Sequence, residues 1–296
     1  MTSDKKWSGP ILLILAALFY AAVNTSVKLS ADHLTVWQIA IGRFALGAAL
    51  IPILARSLRF DLFGQQRGLL VIRGAAATGS FLLLIQALKT IPLSVAAVLF
   101  YLWPVFACLL SSWIAGEPTT KREWPFVIGA LIGAILILWP DKLSLDLGLG
   151  HFLALGGSFL AGLAIILVRR LGRDNNPFTI YFYFCVVGGL ICIGPLMAQT
   201  TPILPGSRVG WFGFIAVALF AMLAQVLMNQ GMKYLNAPKA GVLMAIEPVA
   251  STSFGAIYLG EPLSVRFVFG AGLIFACGVF LILLPMRSSD VGEAPP

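Results

Sequence analysis

Two stretches decide the fold: QALKTIPLSVAAVLFYLWPVFACLLSSWIAGEPTTKR at residues 86–122 and QGMKYLNAPKAGVLMAIEPVASTSFGAIYLGEPLSVR at residues 230–266. They align without a gap. Gln86, Lys89, Ala96, Val98, Leu99, Pro104, Gly116-Glu117-Pro118 and Arg122 return 144 positions later as Gln230, Lys233, Ala240, Val242, Leu243, Pro248, Gly260-Glu261-Pro262 and Arg266. Packing constraints on two similar helix pairs do not explain shared Gln, Lys, Pro, Gly-Glu-Pro and Arg. The pattern is an internal duplication.

The sequence around each copy is strongly apolar. The chain is 59% hydrophobic and 11% charged, with mean hydropathy +0.94, whereas a soluble domain is nearer a quarter charged. The apolar runs are too many and too long for one soluble core, so they read as membrane helices of about 20 residues. Runs between charged or Gly/Pro breaks give ten spans, near 10–29, 35–54, 69–88, 93–115, 124–140, 149–168, 178–198, 209–231, 239–259 and 266–285. The 30 glycines and 17 prolines suit membrane helices, where small residues allow close packing and neighbours satisfy backbone groups freed at proline. Lys5 and Lys6 precede an apolar run longer than a signal-peptide core, so the first segment reads as an uncleaved span.

Basic loop residues set the expected orientation. The N-terminus and alternate loops carry 14 Lys and Arg, among them Lys5, Lys6, Arg73, Arg169, Arg173 and Arg287. The opposite side carries five: Lys28, Lys89, Lys142, Arg208 and Arg266. Both termini are therefore expected in the cytoplasm. Five spans per copy is an odd number, so the copies must be inverted, with Gly116-Glu117-Pro118 at the inner face and Gly260-Glu261-Pro262 at the outer. The correspondence is strong for spans 3–5 against 8–10. It is weak for spans 1–2 against 6–7, where Lys28 against Arg169 is nearly all there is. The expected fold is an all-α membrane protein with ten transmembrane helices in two inverted five-helix repeats. It divides into a cytoplasmic tail at 1–8, a first repeat at 9–141, a second at 149–285 and a disordered cytoplasmic tail at 286–296. Inverted repeats of this kind hold substrates near the bilayer midplane at the repeat interface.

Two charges lie well inside spans, Arg43 in the second and Glu247 in the ninth. A charge at the bilayer centre costs about 2.5–3.5 kcal/mol on insertion scales. Glu247 could bind a proton or oppose a charge on the substrate. The structural alternative is an Arg43–Glu247 pair, or a glutamic acid hydrogen-bonded between helices. Pro104 and Pro248 are repeat mates in mid-span, and each frees the carbonyl four residues earlier, at Phe100 and Met244. Kinks there would turn backbone polarity toward a central cavity. Trp103 precedes one proline and Glu247 the other, so a symmetric scaffold would carry an asymmetric site. The cavity candidates are Tyr20, Asn24, Arg43, Ser80, Tyr101, Trp103, Ser158, Gln225, Asn229 and Glu247. Interhelical hydrogen bonding is the alternative for each polar one. Gln86 and Gln230 lie near opposite faces and read as gate or cap residues. Gly129 and Gly133 form a G-x-x-x-G packing signal, read within the monomer and only weakly as a dimer seam.

Other chemistries find little support. Cys108, Cys185, Cys192 and Cys277 form no C-x-x-C pair and read as small buried hydrophobes. His33 and His151 lack ligand spacing, so neither metal nor cofactor is expected. The charge of +8 is scattered through short loops without a basic aromatic face, which argues against nucleic acid. No mid-span histidine or second carboxylate supports catalysis. A channel remains an alternative class, although Asn236-Ala237-Pro238 resembles a pore motif only superficially.

Ten spans, a duplicated half, Arg43-Phe44 in span 2, Pro104 in span 4, Ala245-Ile246-Glu247-Pro248-Val249 in span 9 and a Gly-Glu-Pro closing a helix in each half form an ordered set. With it the chain is similar, from about residue 9 to 285, to the drug/metabolite transporter superfamily and its EamA-domain family. The resemblance implies a secondary transporter with a central cavity and alternating access. Family members move amino acids, nucleosides, vitamins, S-adenosylmethionine and other small metabolites, often outward. The family's Arg and Glu positions map onto Arg43 and Glu247. Tyr101-Leu102-Trp103 ahead of Pro104 departs from the family pattern, a bulky stretch that could narrow the cavity or stack on a flat substrate. The expectation is a carrier of an amino acid or similar metabolite in the bacterial inner membrane, an exporter or one coupled to protons or a second solute. The alternative is an uptake permease for a vitamin, nucleoside or S-adenosylmethionine-like solute. Its partners would be the lipid bilayer, a small-molecule substrate and, as a candidate, protons, with the chain a monomer or weak dimer.

Overall fold

The computed structural model describes residues 3–30, 32–91, 93–139, 148–198, 202–260 and 263–284. Twelve helices follow one another: α1 (Ser3–Leu29), α2 (Val36–Leu58), α3 (Arg67–Leu88), α4 (Leu93–Phe100), α5 (Trp103–Ile114), α6 (Trp124–Leu138), α7 (Leu149–Leu171), α8 (Pro177–Ala198), α9 (Arg208–Gly231), α10 (Ala237–Met244), α11 (Ile246–Leu259) and α12 (Val265–Leu283). Among the described residues nine apolar helical stretches are long enough to cross a membrane, and Trp124–Leu138 is a shorter tenth. The ten expected spans are present, with the fourth divided into α4 and α5 and the ninth into α10 and α11. The first helix starts at Ser3, inside the segment expected as a tail. Glu261 and Pro262 of the second triplet, Lys142, Arg287 and the tail expected at 286–296 lie outside the described residues.

Helix starts follow local chemistry. Thr35 caps α2 through a reciprocal box, its hydroxyl accepting from the Gln38 amide while the Gln38 side chain accepts from the Thr35 amide. Ser207, Asn236 and Ser264 cap α9, α10 and α12 in the simpler way. The shared glycines close the preceding helices in left-handed conformation, with φ of 70° at Gly116 and 67° at Gly260. A side chain there would be strained, which gives a physical reason for the glycine in both triplets.

The packing repeats itself under exchange of halves. The first helix packs on α9 as α7 packs on α3, and α1 meets α11 as α7 meets α5. Likewise α2 lies on α9 as α8 lies on α3. The pairs α2–α8 and α6–α12 are their own mates. The dominant helix pairs thus join one repeat to the other. In the α6–α12 seam a Cβ on Gly133 would sit 2.7 Å from the Gly270 carbonyl oxygen, and one on Gly270 2.5 Å from that of Gly133. Backbone touches backbone, so the G-x-x-x-G signal serves a seam inside the monomer.

The two broken spans sit where the prolines predict. Pro248 cannot donate to the Met244 carbonyl, and the Tyr101 hydroxyl donates to that oxygen instead, at 3.0 Å. The break in one half is therefore stitched by a side chain from the break in the other. The repeat mate of Tyr101 is Ala245, which has no hydroxyl to return the contact.

Candidate functional site

The residues brought together around the breaks come mainly from α1, α2, α3, α8, α9 and α11. Asn24 on α1 donates through Nδ2 to Glu247 Oε1 and to Ser251 Oγ, both at 3.1 Å. Asn24 is exposed and Glu247 half-buried, although protein surrounds Glu247 deeply on every side. The pair thus keeps accessible surface although protein packs closely around the carboxylate. Tyr20 has the same character and forms the wall of this site one turn from Asn24.

Behind that wall a polar chain ties three helices. The Tyr20 hydroxyl donates to Gln225 Oε1 (2.8 Å), Gln225 Nε2 to Asn229 Oδ1 (3.2 Å), and Asn229 Nδ2 to the Pro177 carbonyl (3.1 Å). Gln225 and Asn229 are buried and spend these groups on each other, as helix glue does. Trp103 is buried, edge-on to Tyr101 with ring centroids 6.5 Å apart. Ser80 and Ser158 are buried on α3 and α7, and the Ser80 carbonyl meets Gly157 beside Ser158 in the seam between those helices. Gln86 is exposed, and Gln230 bonds Tyr234 in its own turn at 3.3 Å. Neither glutamine bridges the halves through a bond seen among the described residues.

Arg43 makes no ion pair with Glu247 within 4 Å among the described residues; the ion pairs seen there involve Glu117 instead. Its guanidinium lies beside the Tyr20 hydroxyl and over the Phe184 ring, 5.4 Å from the centroid, and its Nε is buried without a hydrogen-bond partner. Arg73 joins it. Counted above among the loop charges, Arg73 is in fact a turn and a half inside α3, 2% exposed, with its guanidinium 4.8 Å from the same Phe184 centroid. Its Nε and Nη1 are also without partners. Leu69-Leu70-Val71-Ile72 precede Arg73 and Gly74-Ala75-Ala76-Ala77 follow it, so no loop is available to it. Each buried N–H left unpaired costs about 1–3 kcal/mol, so this pair of arginines is held at a cost.

The end of the molecule where α5, α7 and α9 finish is closed by charge. Glu117, 4% exposed at its side chain, accepts from Arg169 Nη2 at 2.9 Å, from Arg169 Nε at 3.0 Å and from Arg173 Nη2 at 2.7 Å. Arg169 Nη1 donates to the Met232 and Lys233 carbonyls at 2.9 and 2.6 Å. Asn236 Nδ2 donates to Glu123 at 2.7 Å and Gln66 to Asp174 at 2.8 Å. Each of these carboxylate contacts joins the first repeat to the second. Burial of part of the Lys233 side chain lowers its ammonium pKa.

Two interleaved five-span repeats, closed at one end by buried ion pairs and holding charged side chains in their interior, have the architecture of a membrane carrier. The model of the EamA-like transporter family matches residues 7–139 and 148–284, and the chain belongs to that family. It is 27% identical over 278 residues to the pseudopaline exporter CntI of Pseudomonas aeruginosa, covering 94% of this chain and 97% of the relative. It is 26% identical over 298 residues to the threonine/homoserine exporter RhtA of Escherichia coli K12, covering 96% and 95%. An uncharacterized transporter of Archaeoglobus fulgidus is 27% identical over 286 residues. A solved crystal structure superposes with a TM-score of 0.83 over 95% of this chain and 99% of its own, at 18% identity, which shows the shared fold. The chain is thus a multi-pass membrane transporter of small metabolites.

Proposed function

We propose that this protein exports an amino-acid-like metabolite across the inner membrane by alternating access, binding it beside Glu247, Asn24, Tyr20 and Arg43. One observation carries the reading: an accessible Asn24–Glu247 pair at the membrane interior, with the opposite end shut by Glu117, Arg169 and Arg173. The sealed end carries most of the basic loop residues, which supports a cytoplasmic placement for it and for both termini. The cavity then opens outward, the state from which an exporter releases its cargo. The two exporters among the relatives, of pseudopaline and of threonine and homoserine, support outward transport of amino-acid-like solutes. Proton coupling at Glu247 and function as a monomer complete the proposal.

Glu247→Gln tests it. The variant keeps the shape and a hydrogen bond from Asn24 but carries no charge and exchanges no proton. Counterflow of radiolabelled threonine in proteoliposomes is expected to fall at least tenfold, with the protein inserted and melting as wild type. Normal counterflow across pH 5 to 8 would remove Glu247 from coupling.

A further inference from the structure

Charge does not balance among the groups gathered near Tyr20 and Phe184. Arg43 and Arg73 approach one ring, Phe184, and share Tyr20 as an electrostatic neighbour, while Glu247 is the carboxylate among the groups acting on that tyrosine. Neither arginine has an acidic partner within ion-pair distance among the described residues. Contact with an aromatic ring takes up no N–H donor of a guanidinium, so those donors still need acceptors. The unpartnered atoms are edge donors: Nε on Arg43, and Nε with Nη1 on Arg73. An Arg edge is matched by the two oxygens of a carboxylate. Glu247 and Ser251, both accepting from Asn24, offer a different chemistry on α11, acceptors suited to an ammonium.

We infer that the solute is a net anionic amino acid derivative with at least two carboxylates, which engage the edges of Arg43 and Arg73 while its amine faces Glu247. This rests on the export reading and narrows its substrate class. A solute with one carboxylate and one amine leaves one guanidinium unpaired. A phosphate ester satisfies the arginines but sets two negative charges near Glu247 without an amine between them.

The test uses the full chain in nanodiscs and a graded set of probes: L-threonine, L-lysine, L-glutamate, N-(carboxymethyl)-L-alanine, succinate and inorganic phosphate. Thermal shift and counterflow are read for each. Affinity is expected to rise at least tenfold from threonine to the amino dicarboxylates, with lysine weakest and succinate and phosphate below the amino dicarboxylates. Arg73→Gln is expected to lower the ratio of amino-dicarboxylate to threonine affinity at least tenfold. Arg73→Lys, which keeps charge without the fork, restores part of it and stands in if the glutamine variant does not fold. Equal affinity for threonine and the dicarboxylates overturns the inference while export of zwitterions leaves the carrier reading standing. Preference for phosphate also overturns it. Absence of counterflow with every probe sinks both.

Discussion

Replacing Glu117 by Gln should open the sealed end. The Glu117 and Arg169 side chains are 4% and 1% exposed, so the substitution leaves a guanidinium buried against a neutral amide. Removing one partner of a buried pair costs about 3–5 kcal/mol, and glutamine retains one acceptor oxygen, so the lower end applies. The Arg173 arm is 44% exposed at its side chain and adds no more than about 1 kcal/mol. A contact present only when this end is closed transfers its whole loss to the open–closed equilibrium. About 3 kcal/mol is then about a hundredfold shift toward opening. Ala237 is 1% exposed beneath the seal, packed with Ala115 and Ile166. Ala237→Cys in a background without the four native cysteines reports the opening through reaction with a membrane-impermeant maleimide in inside-out vesicles. E117Q should raise that rate ten- to a hundredfold. An unchanged rate refutes the gating role, whether or not the variant melts earlier, because a purely structural contact would lower stability without exposing position 237.

Three further outcomes test the packing and the site. Tyr101→Phe removes the donor to the Met244 carbonyl and should lower stability by about 1–2 kcal/mol, read as a lower melting temperature in detergent; an unchanged melt would show that another group takes over that carbonyl. Gly162→Ala places a Cβ 2.9 Å from both the Ala107 amide nitrogen and the Trp103 carbonyl oxygen, rigid backbone of α5, so α7 must move outward at a cost of about 1–3 kcal/mol, measured the same way. Ser158→Ala deletes a fully buried hydroxyl without a partner; it should leave the melt equal or higher and threonine counterflow intact, whereas lost counterflow would return Ser158 to the binding residues.

The repeat made the architecture legible because a 37-residue gapless match spans the broken helix, its proline and the closing glycine. Those features encode backbone geometry, and backbone geometry is what inverted copies must share. The freed Met244 carbonyl followed from Pro248 alone. Its partner did not, since Tyr101 reaches it across the repeat interface, and no local pattern encodes a contact 143 residues distant. The seal was missed for the same reason. Glu117 read as part of a turn motif and Arg169 and Arg173 as orientation charges, because sequence shows only that a loop is basic and not that an acid lies opposite. Arg73 was a different kind of miss, a boundary set by the sign of a residue rather than by the apolar run on both sides of it. Of the two structural alternatives for Glu247, the pair with Arg43 is not made and the bond between helices is: Glu247 meets Asn24 of α1, and Arg43 meets Phe184.

The symmetry of the packing also constrains how the carrier moves. Because α1 lies on α9 as α7 lies on α3, the two halves form equivalent seams, and a carrier whose halves exchanged conformations would keep them. Large apolar contacts are then similar in both states and set little of the balance between them. The balance falls to contacts that the symmetry does not reproduce. Tyr101 has Ala245 as its mate, and Trp103 has Glu247, so the two broken helices cannot make the same bonds when their roles are exchanged. A solute bound beside Glu247 would act on this asymmetric part. It needs only to bind one arrangement better than the other by a few kcal/mol to change which end is open. A scaffold built from duplicated halves thus keeps switching inexpensive, while the few unmatched residues at the breaks decide what triggers it.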